Sequence, residues 1–180
     1  MFDATVSEGV LRLRRPETRW LSTGWDGGRS RADTAYTLSV PEGFDRTDLA
    51  AYRDERLARA GFDGDRVEVV GDESASASPV LFTGVSMAHA RGARRGSVVA
   101  YATVGLSNPA MLPVDSAGAA AGDADSRPAT AVDDGPPRPG TVNLIVGTTR
   151  RLAAGAAANL VAVAAEAKTA TLLATAGVPG

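Results

Sequence analysis

The chain has no cysteine and a single histidine, His89, and these two scarcities narrow its chemistry before any motif is read. Without thiols there is no disulfide, no thiolate nucleophile, no iron–sulfur cluster and no Cys-ligated zinc. With one imidazole, a Ser-His-Asp triad or a histidine-rich metal centre would have to run through His89 alone. An oxygen-only site for a hard cation such as Mg²⁺ stays open. Aromatic residues make up only 5% of the chain, its net charge is −2, and its arginines are spread without interleaved aromatics, so nothing marks a nucleic-acid partner. No apolar run approaches the ~18 residues of a membrane helix. The N-terminus, MFDATVSEGVLRLRR, has an acidic residue first and its basic residues after apolar ones, unlike a secretory signal. The expectation is a cytoplasmic protein with no membrane or nucleic-acid partner. Lysine is also nearly absent: of nineteen basic residues only Lys168 is one, and with abundant Ala, Gly and Asp this fits GC-rich coding and a salt-adapted archaeon.

What is present suits one globular unit. At 180 residues, 44% hydrophobic and 22% charged, the chain predicts a single α/β domain over 1–180, a mixed sheet packed against a few helices. Strands are expected at Val6–Leu13, Thr34–Val40, Val67–Val70, Pro79–Thr83 and Ser97–Thr103, with Trp20–Ser22 a short apolar entry to the Gly27-Gly28 turn, and antiparallel pairing should dominate the first half. Asp48–Ala60 reads as a helix capped by Thr47 or Asp48 and stopped by Gly61, with a short helix around Met87–Arg94. From Asp115 to Pro139 the pattern collapses into Ala, Gly, Asp, Ser and Pro. Such a segment buries too little apolar surface to offset its ordering cost, so 115–139 is expected to be a flexible loop.

The richest stretch is Gly140–Lys168, GTVNLIVGTTRRLAAGAAANLVAVAAEAK. Val142–Val146 is β-branched and apolar on both faces, which predicts a central strand. Thr148 and Thr149 can cap the Ala-rich helix that follows. At about 100° per residue, Asn159, Glu166 and Thr169 share one side of that helix, while Lys168, Thr171 and Thr175 fall nearly opposite. Glu166 and Lys168 therefore cannot pair. Val163 and Leu173 accompany Glu166, so that side is expected to face the protein, where a carboxylate must be hydrogen-bonded or shifted towards its neutral form.

Three polar loops follow or interrupt strands: Ser22–Gly28 (STGWDGG), Thr83–Ser86 (TGVS) and Thr103–Pro109 (TVGLSNP). Glycine allows close backbone approach, and exposed N–H groups in such turns hold anions or a developing oxyanion. None is a phosphate loop, since GxxxxGK[ST] and GxGxxG are missing, and each taken singly reads first as an ordinary turn. In sequence, however, LSTGWDGG, LFTGVSMAHA, ATVGLSNPA and PGTVNLIVGTTRRLAAGAAANLVAVAAEAKTATL resemble the adenosylcobinamide amidohydrolases, from about Ser22 to the C-terminus. The last motif is the most specific. Asp26 stands where the family pattern has Asn, and the family pattern continues past Gly180 into a Thr/Gly-rich segment containing an Asp.

The resemblance implies hydrolysis of the amide joining a corrin side chain to aminopropanol, giving adenosylcobyric acid in an archaeal salvage route. The corrinoid is then a small-molecule substrate, with no resident cofactor and no assigned metal ligand. Amide hydrolysis needs an activated water or hydroxyl, donors for the tetrahedral oxyanion and a proton for the leaving amine. On that reading Glu166 is the base or orients one, Asn108 and Asn143 are oxyanion or amide donors, and Lys168 is a cation for a propionamide. Ser22, Asp26, Gly27, Gly28, Thr83, Ser107 and Thr141 line the substrate. His89 is a possible acid, although a lone His within HARGARR reads first as a solvated residue. Ser86, Ser107 and Thr83 have no visible activating partner, which favours attack by water. The alternatives are a non-catalytic module for a corrinoid or another small ligand, and an amide hydrolase for a different substrate.

Overall fold

A computed structural model describes residues 1–65, 78–105 and 142–175. It shows a mixed α/β arrangement of two sheets and two helices. The first sheet is built from β1 (Asp3–Ser7), β2 (Val10–Ser22), β3 (Gly28–Ser39) and β4 (Val80–Thr83), in that order. The expected strand over Val6–Leu13 is in fact the closing of a hairpin. Glu8 and Gly9 both take positive φ, 46° and 73°, and Ser7 pairs with Val10 across them. That is the two-residue geometry whose twist suits an antiparallel hairpin. The β2–β3 ladder then shifts register between Arg14 and Thr18. Pro16 has no N–H to give the ladder there, while the Glu17 N–H bonds Asp33 Oδ1 instead, at 2.7 Å.

β3 and β4 pair in parallel, and parallel neighbours need a crossover. The segment between them carries α1 (Leu49–Arg59), which buries Tyr52 and Leu57. These side chains cover one face of the first sheet: Leu57, Ala60 and Phe62 join Val10, Tyr36, Leu38 and Val80 in one core. The other face carries Leu11 and Leu13, which pack with Phe2 and Met87 against Val99, Tyr101 and Ile145. Those last three belong to a second sheet of β5 (Arg91–Arg95), β6 (Val98–Val104) and β7 (Val142–Thr148). The layers are therefore helix, four-stranded sheet and three-stranded sheet, and β3 is buried on both faces from Thr34 to Leu38.

Several expectations are corrected. The apolar strands split between two sheets instead of forming one. The short helix expected over Met87–Arg94 is only a 3₁₀ turn at Met87–His89, and the chain then extends into β5. Gly92 explains the preference, because a Cβ there would lie 2.8 Å from the Tyr101 ring, so the strand lets Tyr101 lie over a bare backbone. Among the described residues β7 is antiparallel to β6 and ends the order β5-β6-β7, so it is not central there. Its apolar character arises because one face, through Ile145, meets the core between the sheets. Thr148 belongs to β7, and its Oγ1 accepts the Arg150 N–H at 3.2 Å. The C-terminal helix α2 (Ala154–Thr175) starts later, so neither expected threonine caps it. Asp48 does occupy the N-cap of α1, but makes no side-chain cap bond. The expected strand at Val67–Val70 and the Asp115–Pro139 loop lie outside the described residues.

Candidate active site at the seam between the sheets

One side chain crosses from the second sheet to the first. Asn143 of β7 donates an Nδ2–H to the Phe82 carbonyl of β4, at 2.8 Å. Asn143 is half-buried and stands opposite Thr103 of β6. Because side chains alternate along a strand, Thr103, Tyr101 and Val99 share the inward face with Asn143, Ile145 and Gly147. Gly147 is required there, since a Cβ would collide with the Phe2 ring.

An aromatic group on the α1 side of the first sheet is centred on the Phe82 ring. Trp25 lies 5.8 Å from it, Tyr52 6.2 Å and Phe44 6.5 Å, centroid to centroid. In a chain with so few aromatics this grouping is informative, and it was not anticipated from sequence; the available signal was Trp25 inside a glycine loop. That loop connects β2 to β3 and lies against β4. A Cβ on Gly24 would meet Leu81 Cδ2 at 2.6 Å and the Val80 carbonyl at 3.1 Å, so glycine lets the loop lie close without displacing Leu81. Ser22 Oγ accepts the Gly24 N–H at 3.1 Å. Asp26 has φ 48°, a left-handed conformation that Asp and Asn both tolerate, so the backbone itself accounts for either residue at that position. Asp26, Gly27 and Gly28 are exposed, and the Arg53 guanidinium sits 5.7 Å from the Trp25 ring centroid.

Thr83 is buried, and its Oγ1 accepts the Val85 N–H at 3.1 Å, a local turn bond that commits one lone pair. The Gly84–Ala88 loop then borders a cleft of about 360 Å³ with Val6, Gly9, Ser39 and Val40. Its two serines are both engaged. Ser39 Oγ donates to the Val85 carbonyl at 2.7 Å, and Ser86 Oγ accepts the Ala88 N–H at 3.3 Å. His89 is exposed at the end of that turn. At the rim of the aromatic group, Arg46 binds both Asp48 and Glu55 and lies 5.1 Å from the Tyr52 ring centroid. Its hydrogen bonds hold both carboxyls below their ordinary range.

The structure thus brings Thr83, Asn143 and, through the Gly24 approach, the Ser22 turn to β4, while Asp26, Gly27 and Gly28 are exposed in that turn. It does not bring Glu166 or Lys168 into this hydrogen-bonded set. Glu166 and Asn159 are exposed, and none of the three makes a hydrogen bond or ion pair among the described residues. The partly covered stripe of α2 is Ala157, Leu160, Ala164, Lys168 and Leu172, so the Lys168 side, and not the Glu166 side, is the more sheltered. Small apolar residues ring this helix almost completely, and that gives little contrast between its faces. Ser107, Asn108 and Thr141 lie outside the described residues. Among the described residues no three His, Cys, Asp or Glu side chains gather as a metal site, and no helix is long and apolar enough to cross a membrane.

Comparison with known proteins adds the chemical class. The family model for adenosylcobinamide amidohydrolase matches residues 3–178. A protein from Halobacterium salinarum named adenosylcobinamide amidohydrolase is 51% identical over 180 residues, which is all of this chain and 69% of that protein. No solved structure matches. The seam, with its amide side chain and glycine loop, is therefore read in an enzyme: the chain belongs to the adenosylcobinamide amidohydrolase family.

Proposed function

We propose that the protein hydrolyses the amide between the corrin-ring side chain and aminopropanol of adenosylcobinamide, and that the seam around Asn143 binds this amide. The match of the family over residues 3–178 carries the reading. In the reaction the water oxygen bonds to the carbonyl carbon, the C–N bond breaks, and the amine leaves with a proton. The products are adenosylcobyric acid and aminopropanol. The corrinoid is substrate throughout.

Asn143 suits the acyl end of that reaction. One of its N–H groups is fixed on Phe82, while its Oδ1 and second N–H have no partner among the described residues. A primary amide held at one corner offers a donor to a carbonyl oxygen and an acceptor to an amide N–H, and a preorganised donor is worth most when charge develops on that oxygen. Glu166 is the proposed base. With no hydrogen bond or ion pair among the described residues it has no visible structural task, and a carboxylate is one of the few bases left in a chain with one histidine. Lys168 is proposed to meet a side-chain amide, and Asn108 to act as a second donor.

The test is incubation with adenosylcobinamide while aminopropanol is followed by mass spectrometry. The expected result is one aminopropanol released per corrinoid consumed, with adenosylcobyric acid as the other product. Tight corrinoid binding without release would establish a binding module instead, and release from other amides but not this one would reassign the substrate.

A further inference from the structure

Thr103 is 2% exposed, and its buried hydroxyl has no hydrogen-bond partner among the described residues. Its neighbours in kind behave differently: Thr34 shares a hydrogen bond of 2.8 Å with Ser78 Oγ, and Thr83 accepts one from the Val85 N–H. A buried hydroxyl left unpaired is costly, and valine fills nearly the same volume without that cost. Thr103 also has a particular position. It faces Asn143 directly across the β6–β7 ladder, where opposed Cβ atoms lie about 4.5–5.5 Å apart. Asn143 is the residue tied by a single corner to Phe82.

We propose that Thr103 is a positioning residue for Asn143. With substrate bound, the Thr103 O–H donates to Asn143 Oδ1. The amide, already held through Nδ2 on Phe82, is then fixed at two points and directs its remaining N–H at the scissile carbonyl oxygen. Hydrogen bonds of this kind are often open in a free enzyme and close in the complex. The inference rests on the amide-hydrolysis reading above, and it adds the group that orients the donor.

The experiment compares Thr103→Val and Thr103→Ser with the wild type for melting temperature and for kcat and KM of aminopropanol release. Thr103→Val is expected to melt about 2–4 °C higher, because the unpaired hydroxyl is gone. Its kcat should fall roughly tenfold with KM changed little, the signature of an interaction strengthened in the transition state. Thr103→Ser should restore most of the rate. Thr103→Ala, read against Thr103→Ser, repeats the comparison without depending on the fit of valine. An active wild type whose Thr103→Val and Thr103→Ala forms keep full kcat overturns this role alone. A wild type that releases no aminopropanol overturns the reaction, and this role with it.

Discussion

The two helices among the described residues meet the rest of the molecule in opposite ways. α1 has 11 residues and buries Tyr52 and Leu57, and its Arg56 bonds the Ser39 carbonyl at 2.7 Å, the Glu8 carbonyl at 2.6 Å and Tyr52 Oη at 2.9 Å. α2 is twice as long at 22 residues, yet none of its described side chains is buried, and Val161 and Val163 are 37% and 47% exposed. The difference shows that forming a helix and docking it are encoded separately. Alanine supplies propensity, whereas docking needs a contrast between faces, which α1 has and α2 lacks. Geometry at the proposed site therefore comes from the sheets, where each side chain has a defined neighbour.

The sharpest way to break this comparison is to truncate one apolar side chain in each region. Leu13 is 0% exposed between the sheets, so Leu13→Ala removes core contacts and leaves a cavity, which costs about 2–5 kcal/mol. Val163→Ala on α2 should stay within about 0.5 kcal/mol. Urea unfolding of both variants measures the two directly. Equal losses would mean that α2 contributes to the core as much as the sheets do.

A second prediction moves from stability to turnover. Glu166→Gln keeps shape and hydrogen-bonding reach but removes the proton acceptor, and is expected to lower kcat about 10²-fold. Since Glu166 is exposed and makes no hydrogen bond or ion pair among the described residues, the melting temperature should not move. Full activity in this variant would place the base elsewhere and leave α2 without a catalytic part.

The same contrast explains what could be read from sequence. Local signals were sufficient for α1, for the strands at Thr34–Val40, Pro79–Thr83, Ser97–Thr103 and Val142–Val146, and for the Ser22–Gly28 turn. Asn143 was legible because a polar amide inside VNLIV stands out against its apolar neighbours. Pairing partners were not legible, since they are set by residues far along the chain. Thus β7 was expected at the centre of a sheet and, among the described residues, lies at the end of one, and Arg91–Arg95 took a strand because Tyr101 needed the bare backbone of Gly92. The outward turn of Glu166 was hidden because an alanine-rich helix does not reveal its inner side. Thr103 reads in sequence only as the junction of a strand and the TVGLSNP loop; its missing partner is what distinguishes it.

The smallest effect concerns how α1 is anchored at its start. Asp48 occupies the N-cap, but its carboxylate turns to Arg46, which also grips Glu55 one helical stretch further on. These bonds lower the folded-state pKa of both acids relative to the unfolded chain. A lowered carboxylate pKa stabilises the fold above the unfolded value, and that stabilisation is lost as pH falls through the folded value. The advantage of wild type over Arg46→Gln should therefore be present at pH 7, decline below about pH 4.5 and vanish in stronger acid. Both carboxylates are solvent-exposed and Arg46 is half-buried, so screening keeps the difference in melting temperature to about 2 °C at pH 7, and 1 M NaCl should reduce it further. Thermal melts across pH for the two proteins measure this. A gap that persists unchanged into acid would mean that Arg46 acts through its contact with the Tyr52 ring and that the carboxylates matter little to how α1 is held.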